Sequence, residues 1–248
     1  MNYYSLVAFA LLLSTIASGP SGFDENKGLV AYYSFNDCDA RDETGNESDG
    51  TLYGNMGCWC GIEDEGLLFD GIDDYVEFGG IVNRYFSTSD FTVSFYFKAN
   101  QYSVLKQSLL SKRVDCENYN TMDFRLDQNF KRVETYVDET PEKNYGDISP
   151  DTGGEGWKQV VLSRRGTRAY TYINGILMKE GFRCSGIDLS NDALLSFSNS
   201  PCIWDGHVVR FKGILDELRV YDRALTDEEV LALYLLNPIE RATQDCAT

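Results

Sequence analysis

The chain has 248 residues, of which 43% are hydrophobic and 13% aromatic, and it contains only 5 prolines. This composition supports a sizeable core and favours strands over disorder, so we expect an ordered domain. The formal net charge is −17, and an acidic surface repels a phosphate backbone, which excludes nucleic acid as a partner. The same surface attracts divalent cations, or simply keeps an extracellular protein soluble.

The first predicted element is a secretory signal. Residues 6–17 form a short apolar run, and the small residues 18–22 follow it. Such a run is too short to span a bilayer comfortably and suits cleavage near Ala17. Because no Lys or Arg precedes the run, a retained interfacial anchor stays open as the alternative. We assign residues 1–22 to the signal and residues 23–248 to a single secreted, extracellular domain without a membrane span.

The rest of the chain reads as short strands separated by turns. Apolar and polar residues alternate in residues 28–35 and 91–98, as expected for strands with one buried face. The other predicted strands are Gly50–Tyr53, 66–69, Tyr75–Phe78, 108–112, 122–126, 131–137 and 211–221. With almost no helical periodicity between them, these strands predict an all-β fold.

A three-stranded meander is predicted between residues 157 and 180. Its strands are separated by the turns Arg165-Gly166 and Asn174-Gly175. Asn-Gly supplies the positive φ angles that a tight two-residue hairpin needs, so the register is well specified.

One short helix is expected near the end of the chain. Thr226 is suited to cap it, with Glu229 three residues later, and apolar residues then follow at helical spacing. This combination is the sequence signature of a capping box.

Seven cysteines also favour an oxidising compartment. Their positions are Cys38, Cys58, Cys60, Cys116, Cys184, Cys202 and Cys246. The simplest arithmetic is three disulfides among the first six and one unpaired thiol, through which an oligomer could form. The sequence leaves the connectivity open: Cys58 or Cys60 is suited to pair with Cys38, and Cys184 with Cys202. No CxxC is present, so we expect structural bridges and not zinc.

The order of these segments resembles the laminin-G-like, concanavalin A-like jelly roll of secreted adhesion and lectin modules, whose relatives include the pentraxins. The matching pieces are GLVAYYSFND, DETGNESDGTLYG, LLFDGIDDYVEF, FTVSFYFKA, the meander from Trp157, and FKGILDELRVYDRALTDEEVLALY. The resemblance implies a two-sheet antiparallel jelly-roll sandwich with loops at its rims. The capping pattern at Thr226 predicts one short terminal helix in addition. This fold serves lectins, adhesion modules and glucanases, so function must be read from the residues.

No catalytic constellation is found. Glucanases on this general fold place two Glu and an Asp on one face of a strand, but the acidic runs at 63–65, 134–139 and 216–217 have unsuitable spacing. His207 is the only histidine and no G-x-S-x-G elbow is present, so a serine triad is not indicated either. We predict that the protein is not an enzyme.

Calcium is the one expected cofactor, because it takes oxygens from Asp- and Asn-rich loops. Asp49, Asp70, Asp73 and Asp216 lie in segments that the family places near the joined terminal strands, where similar domains often hold a structural calcium. The alternative is that these residues only form turns. Asn46 begins a sequon, Asn-Glu-Ser, and a glycan there would cover this calcium site.

A second calcium candidate is the loop at residues 113–120. Asp115, Glu117 and Asn118 lie where pentraxins carry a calcium-binding pair. The partner loop of this chain is less acidic than theirs, however, and offers only Asn199 and Asp205.

Exposed aromatic residues in loops are the expected platform for sugar rings, because a flat apolar face stacks on C–H groups. Trp59 and Trp204 lie close to cysteines, which predicts loops held by disulfides, and Tyr119 would join Trp204 if the two loops meet. Trp157 begins a meander strand and is predicted to lie in the core. The predicted ligand-binding residues are Trp59, Asp115, Asn118, Tyr119, Asn199, Trp204 and Asp205.

The sequence therefore predicts a secreted, non-catalytic module that binds a glycan or an extracellular protein, with calcium as a stabilising ion. A structural subunit of an extracellular assembly is the first alternative, suggested by the odd number of cysteines. A glycoside hydrolase with an unfamiliar site is the second.

Overall fold

In a computed structural model of the protein, residues 22–87, 90–100, 103–149, 156–182 and 188–244 are described. The strands in these ranges are β1 (Leu29–Tyr33), β2 (Gly50–Tyr53), β3 (Gly57–Cys60), β4 (Glu65–Asp70), β5 (Tyr75–Phe78), β6 (Phe91–Ala99), β7 (Gln107–Lys112), β8 (Thr121–Asp127), β9 (Arg132–Asp138), β10 (Asn144–Ile148), β11 (Trp157–Arg165), β12 (Arg168–Ile173), β13 (Ile176–Phe182), β14 (Leu195–Phe197) and β15 (Lys212–Tyr221). The same ranges contain one α-helix, α1 (Asp227–Leu236), and short 3-10 turns at Gly80–Arg84, Pro201–Ile203 and Ile239–Arg241.

These strands form two antiparallel sheets. The eight-stranded sheet has the order β13-β12-β11-β6-β15-β4-β3, with β1 also paired to β15. The seven-stranded sheet has the order β10-β9-β8-β7-β14-β5-β2. Neighbouring strands such as β6 and β15 are far apart in sequence, as in a jelly roll. The predicted all-β, two-sheet sandwich with one short C-terminal helix is confirmed.

The core lies between the inner faces of the two sheets. In β6, Phe91, Val93, Phe95 and Phe97 all belong to it, as the alternating sequence predicts. Phe95 meets Phe197 of the opposite sheet edge-on, with ring centroids 5.7 Å apart. Edge-to-face pairs of this kind add about 0.5–1.5 kcal/mol to the energy of burial.

The meander β11-β12-β13 forms as predicted. Its second turn has φ angles of 49° at Asn174 and 74° at Gly175, the positive values that a tight hairpin turn requires. A Cβ atom at Gly175 would lie 3.0 Å from the Cβ of Tyr234, because the turn packs closely against α1. Glycine is therefore needed here for space as well as for conformation.

Helix α1 covers the outer face of the eight-stranded sheet. Thr226 and Glu229 form both hydrogen bonds of the predicted capping box. Val230 and Leu233 are fully buried in a cluster with Tyr172, Val161, Tyr221 and Leu225 of the sheet and its margin. A neighbouring cluster on the same face contains Trp157, Ile62, Tyr96 and Ile214, so the prediction that Trp157 lies in the core is also confirmed.

Three strands were not predicted from the sequence: β3, β10 and β14. Each is short, and none has the long alternation that identified the others. The predicted signal at residues 1–22 lies almost wholly outside the described residues, as do Cys184 and Cys246. In the described part of the chain, no helix has the length and apolarity needed to cross a membrane.

Candidate functional site

Two loops of the seven-stranded sheet are joined by a disulfide. We call residues 113–120, between β7 and β8, the first rim loop, and residues 198–210, after β14, the second rim loop. Cys116 of the first is bonded to Cys202 of the second, with their Cα atoms 4.8 Å apart. The prediction that Tyr119 would join Trp204 depended on these loops meeting, and they do meet.

The rim loops start from opposite ends of the sheet. β14 runs antiparallel to β7, and Ser198, where the second loop begins, donates to the carbonyl of Leu109 near the start of β7. The first loop leaves from the other end of β7. A covalent bond between them therefore requires both loops to fold across the outer face of the sheet.

The outward side chains beneath the loops are buried in consequence. Asp123 lies between the core residues Met122 and Phe124, so it points away from the core, as does Ser196 on β14. Both would face solvent in an open sheet, yet both are buried.

A buried ion cluster supports the joined loops. The Oδ2 atom of Asp123 lies 2.8 Å from Arg113 Nη1 and 2.7 Å from Arg125 Nη2. Arg113 also donates to the carbonyls of Asp115 and Glu117 and so shapes the first loop. Arg125 Nη2 lies 3.5 Å from the sulfur of Cys202. Sequence reasoning missed this cluster, although alternating charged residues in a strand with one apolar face are a usable signal.

The side chains predicted to bind ligand lie on the outside of the joined loops. Trp204 is 79% exposed and Tyr119 is 57% exposed, while Asp115, Asn118 and Asp205 are exposed on the same two loops. Trp204 ends the 3-10 turn Pro201–Ile203, which Ser200 caps by accepting from the amide of Cys202. The indole is thus presented by a short turn that is capped and covalently anchored.

His207 also lies in this loop, with Nδ1 3.4 Å from the sulfur of Cys116. Cys116, Asp205 and His207 bring potential ligand atoms within 4.8 Å of one another. Because the Cys116 sulfur is in a disulfide, it is not available as a thiolate ligand.

Asn199 lies at the base of the second rim loop and not beside Trp204 at its tip. It donates from Nδ2 to Glu77 (3.1 Å) and lies 3.3 Å from Arg210 Nη1. The guanidinium of Arg210 stacks over Tyr75 at 4.6 Å, and Tyr75 stacks on Tyr53 with ring centroids 4.4 Å apart. We call these residues the tyrosine patch: Tyr53, Tyr75, Glu77, Asn199 and Arg210. Only Asn199 was predicted; aromatic residues at the outward positions of β2 and β5 were the signal for the others.

Trp59 belongs to a different part of the molecule. It was predicted to lie in a loop, but it lies on β3, the edge strand of the eight-stranded sheet, where it is 54% exposed. Its neighbour Cys58 pairs with Cys38, one of the two pairings left open by the sequence. Cys60 is disulfide-bonded as well.

The suggested closure of residues 184–202 by a disulfide is wrong, since Cys202 pairs with Cys116. The reason is tertiary: the second rim loop folds over the sheet and brings Cys202 to the first loop, 86 residues away in sequence.

The four aspartates predicted to bind calcium do not form one group in the described structure. Asp70 and Asp73 come together with Asp74, their carboxylate oxygens lying within 4.8 Å of one another. Asp49 instead accepts from the amide of Asp42. Asp216 is fully buried and accepts from the amides of Ile62, Glu63 and Glu217. Through these hydrogen bonds, Asp216 of β15 holds the loop at Ile62 and Glu63 against the strand.

Glu217 is the second buried carboxylate of the adjacent pair. It lies beside a cleft of about 350 Å³ that Glu25, Tyr32, Glu63, Arg219 and Asn237 help to line. Its oxygens accept from Tyr32 (2.7 Å), Asn237 (3.2 Å) and Arg219. Burial raises the pKa values of Asp216 and Glu217, but a carboxylate whose oxygens are taken by protein donors suits a structural role better than that of an acid or nucleophile.

Two packed antiparallel sheets, with loops folded over one outer face, define a lectin-like jelly-roll domain. The family model described as the concanavalin A-like lectin/glucanases superfamily, of the laminin G type, matches residues 70–231. The chain therefore belongs to this superfamily. The search of curated protein sequences found no significant match.

Several solved structures share the fold. Domain 4 of AbnA, an extracellular arabinanase of Geobacillus stearothermophilus solved with arabinotriose, is 21% identical with a TM-score of 0.63; the match covers 83% of this chain and 98% of that domain. The binding domain of Paraclostridial Mosquitocidal Protein 1 is 16% identical with a TM-score of 0.67, and the match covers 84% of this chain and 52% of that one. The binding domain of botulinum neurotoxin DC, solved with SialylT, is 13% identical with a TM-score of 0.65, and the match covers 85% of this chain and 52% of that one.

This chain thus spans about half the length of the two toxin domains and nearly all of the arabinanase domain. At these identities, the likeness shows the fold.

Proposed function

We propose that the protein is an extracellular, non-catalytic module that binds glycans through the joined rim loops. The observation that carries the proposal is the disulfide between Cys116 and Cys202, which joins the two loops that carry the exposed aromatic side chains of Tyr119 and Trp204. A flat aromatic face held rigidly loses little entropy when a sugar ring stacks on it.

The groups around these rings support a sugar ligand. Asp115, Asn118 and Asp205 are exposed on the same loops, and carboxylates and amides accept and donate to hydroxyl groups. The buried ion cluster at Asp123 holds the first loop from beneath. The arabinanase domain that shares the fold, 98% of which is matched, was solved with arabinotriose, and this supports a sugar ligand.

An extracellular location is proposed on the cysteines. Cys38, Cys58, Cys60, Cys116 and Cys202 are all disulfide-bonded. Disulfides persist in oxidising compartments and are rare in the cytosol.

The test is a glycan array followed by calorimetric titration of the oligosaccharides that bind. We expect Trp204→Ala to weaken binding about tenfold or more, since central exposed aromatics contribute about 1.4 kcal/mol or more to an interface. Trp59→Ala is the matched control, because it also removes one exposed indole, but from an edge strand of the other sheet. If the Trp59 variant loses binding and the Trp204 variant keeps it, the site is misplaced; if the wild type binds no glycan, the function is wrong.

Calcium remains a proposal, now restricted to the turn that carries Asp70, Asp73 and Asp74. These carboxylates converge within 4.8 Å, which suits a hard cation. However, both oxygens of Asp74 already accept from the amides of Asn55 and Asp70, so a bound ion would depend on the other two.

Thermal unfolding in calcium chloride and in EDTA tests this proposal. An ion that binds only the folded state raises the melting temperature, and the rise grows with its concentration. We expect the rise to disappear in Asp73→Asn. Equal melting temperatures in calcium chloride and in EDTA would show that calcium does not stabilise the folded protein.

A further inference from the structure

The tyrosine patch is built by strand register. Tyr53 of β2 and Tyr75 of β5 are directly opposite each other, and the residues next to them, Leu52 and Val76, pack in the core. Both tyrosines therefore point outward, with their rings nearly parallel at 5°. The guanidinium of Arg210 lies over the Tyr75 ring as well. Because Tyr53 covers one face of that ring, Arg210 takes the other, and the outer face of Tyr53 is the one left for a ligand.

Two polar groups lie near this free face, the hydroxyl of Tyr53 itself and the carboxylate of Glu77. Tyr53 is 37% exposed, and its hydroxyl lies close enough to Glu77 for the negative charge of that carboxylate to raise the pKa of the hydroxyl. Glu77 also accepts from Asn199. An aromatic face bordered by a hydroxyl and a carboxylate matches the alternating C–H and O–H surfaces of a sugar ring.

The charge around the patch selects among sugars. Glu77 belongs to it, and the carboxylates of Asp70, Asp73 and Asp74 lie close enough to influence the pKa of Arg210. Arg210 is the only cation of the patch, and it already donates to Ser198 and Asn199. When no calcium is bound at the three aspartates, a sialylated, sulfated or uronic sugar would meet net negative charge here, and the whole chain carries −17. Like charges at an interface are unfavourable, so a neutral sugar fits best.

The patch and the joined loops share one element. Asn199 and Arg210 lie at the two ends of the second rim loop, and Trp204 lies at its tip. Arg210 closes the base of that loop by donating to the carbonyl of Ser198 at 2.7 Å. The second rim loop therefore carries Trp204 at its tip and contacts the tyrosine patch at its base through Arg210.

We propose that the tyrosine patch is a second carbohydrate contact, for a neutral sugar residue of the same oligosaccharide that binds at Trp204. This inference rests on the proposed function, since it names the ligand class and length that the site would take. The ligand is a neutral oligosaccharide of several residues, and its affinity increases with chain length until both contacts are occupied.

The probes are neutral arabino-, xylo-, gluco- and manno-oligosaccharides of three to six residues, with sialylated and sulfated oligosaccharides beside them. Titrations use the wild type, Tyr53→Ala and Tyr53→Leu; the leucine keeps apolar bulk on the edge strand without a flat face. Phe130→Ala is the control, because it removes an exposed aromatic from the turn between β8 and β9. Thermal melting checks that each variant is folded.

We expect both Tyr53 variants to lose about tenfold in affinity for the longest neutral ligand and to lose the dependence on chain length, while Phe130→Ala matches the wild type. If Trp204→Ala weakens binding but the Tyr53 variants bind like the wild type, the second contact is wrong and the proposed function stands. If charged oligosaccharides bind more tightly than neutral ones, the ligand class is wrong. A wild type that binds no oligosaccharide overturns the proposed function itself.

Discussion

The outer faces of the two sheets are both covered, but by opposite chemistry. On the eight-stranded sheet, α1 lies on an apolar cluster that includes Val230 and Leu233. On the seven-stranded sheet, the rim loops lie on charged groups, with Asp123 between Arg113 and Arg125, and a disulfide fastens them. The first cover extends the core, whereas the second holds exposed aromatic residues in place.

This difference separates the residues that hold the fold from those that shape the proposed site. Apolar burial is non-directional and tolerates repacking, so the helix side sets stability. A buried ion cluster contributes little net stability but fixes geometry, and it is costly to break. Variants on the two faces should therefore affect stability and binding in different combinations.

The largest effect is expected from Asp123→Ala. It leaves Arg113 buried without its carboxylate partner, and breaking a buried pair in this way costs about 3–5 kcal/mol. Chemical denaturation should show the loss of stability, and glycan titration should show a parallel loss of binding because the first rim loop loses its support.

Asp115→Ala is the control for Asp123→Ala, because Asp115 is exposed on the same loop; it should change the free energy of unfolding by less than about 0.5 kcal/mol. If Asp123→Ala is as stable as the wild type, the buried ion cluster does not hold the rim loops. The proposed difference between the outer faces of the two sheets would then be wrong.

A somewhat smaller loss is expected from Leu233→Ala on the helix side. Leu233 is fully buried against the sheet, and truncating such a leucine costs about 2–5 kcal/mol. At temperatures where the variant is folded, glycan affinity should equal that of the wild type. Leu235→Ala is the matched control, since Leu235 is exposed on the same helix. Weakened glycan binding by folded Leu233→Ala would show that the two faces are coupled.

The smallest effect concerns pH and Lys112, the last residue of β7. Its ammonium is buried and donates to the carbonyls of Asn191 and Ala193, and burial lowers the pKa of Lys112 to about 8. The unfolded chain holds this proton up to about pH 10.4. Above pH 8 the unfolded state thus binds more protons, so the free energy of unfolding should rise with pH, by about 1 kcal/mol up to pH 9.5.

Urea denaturation between pH 7.5 and 9.5 gives the free energy of unfolding of the wild type and of Lys112→Met. The difference between the two proteins at each pH isolates the contribution of Lys112. Buried tyrosines such as Tyr33 have raised pKa values, but they lower stability only as the pH approaches 10. A wild type whose stability, relative to Lys112→Met, falls over this range would show that the ammonium is favoured by its surroundings and not penalised.

Much of the fold was predictable because it depends on local signals. The alternation in β6, the Asn174-Gly175 turn and the Thr226 capping box each act within a few residues, and each formed as predicted. The segment of β3 was not predicted, because Gly57–Cys60 has no clear alternation and becomes a strand only by pairing with β4. The same holds for the three residues of β14, which lie between β5 and β7.

The site was predictable only in part. Residue type selected Tyr119, Trp204 and their polar neighbours as candidates, and these side chains are exposed on the joined loops. It grouped Asn199 with them, whereas Asn199 lies beside Glu77 and Arg210, and it did not select Tyr53 or Tyr75. The four aspartates expected to bind calcium also do not come together, because Asp216 accepts hydrogen bonds from backbone amides inside the protein.

The sequence by itself determined the periodicities, turns and caps of this protein, because hydrophobic patterning and backbone conformation are properties of neighbouring residues. Only the tertiary structure decided that Cys116 meets Cys202, that the rim loops cross the sheet, and that Arg210 of the second rim loop stacks over Tyr75. Those contacts join residues that are far apart along the chain. Their partners are fixed by how the strands are ordered in the two sheets, and no local pattern records that order.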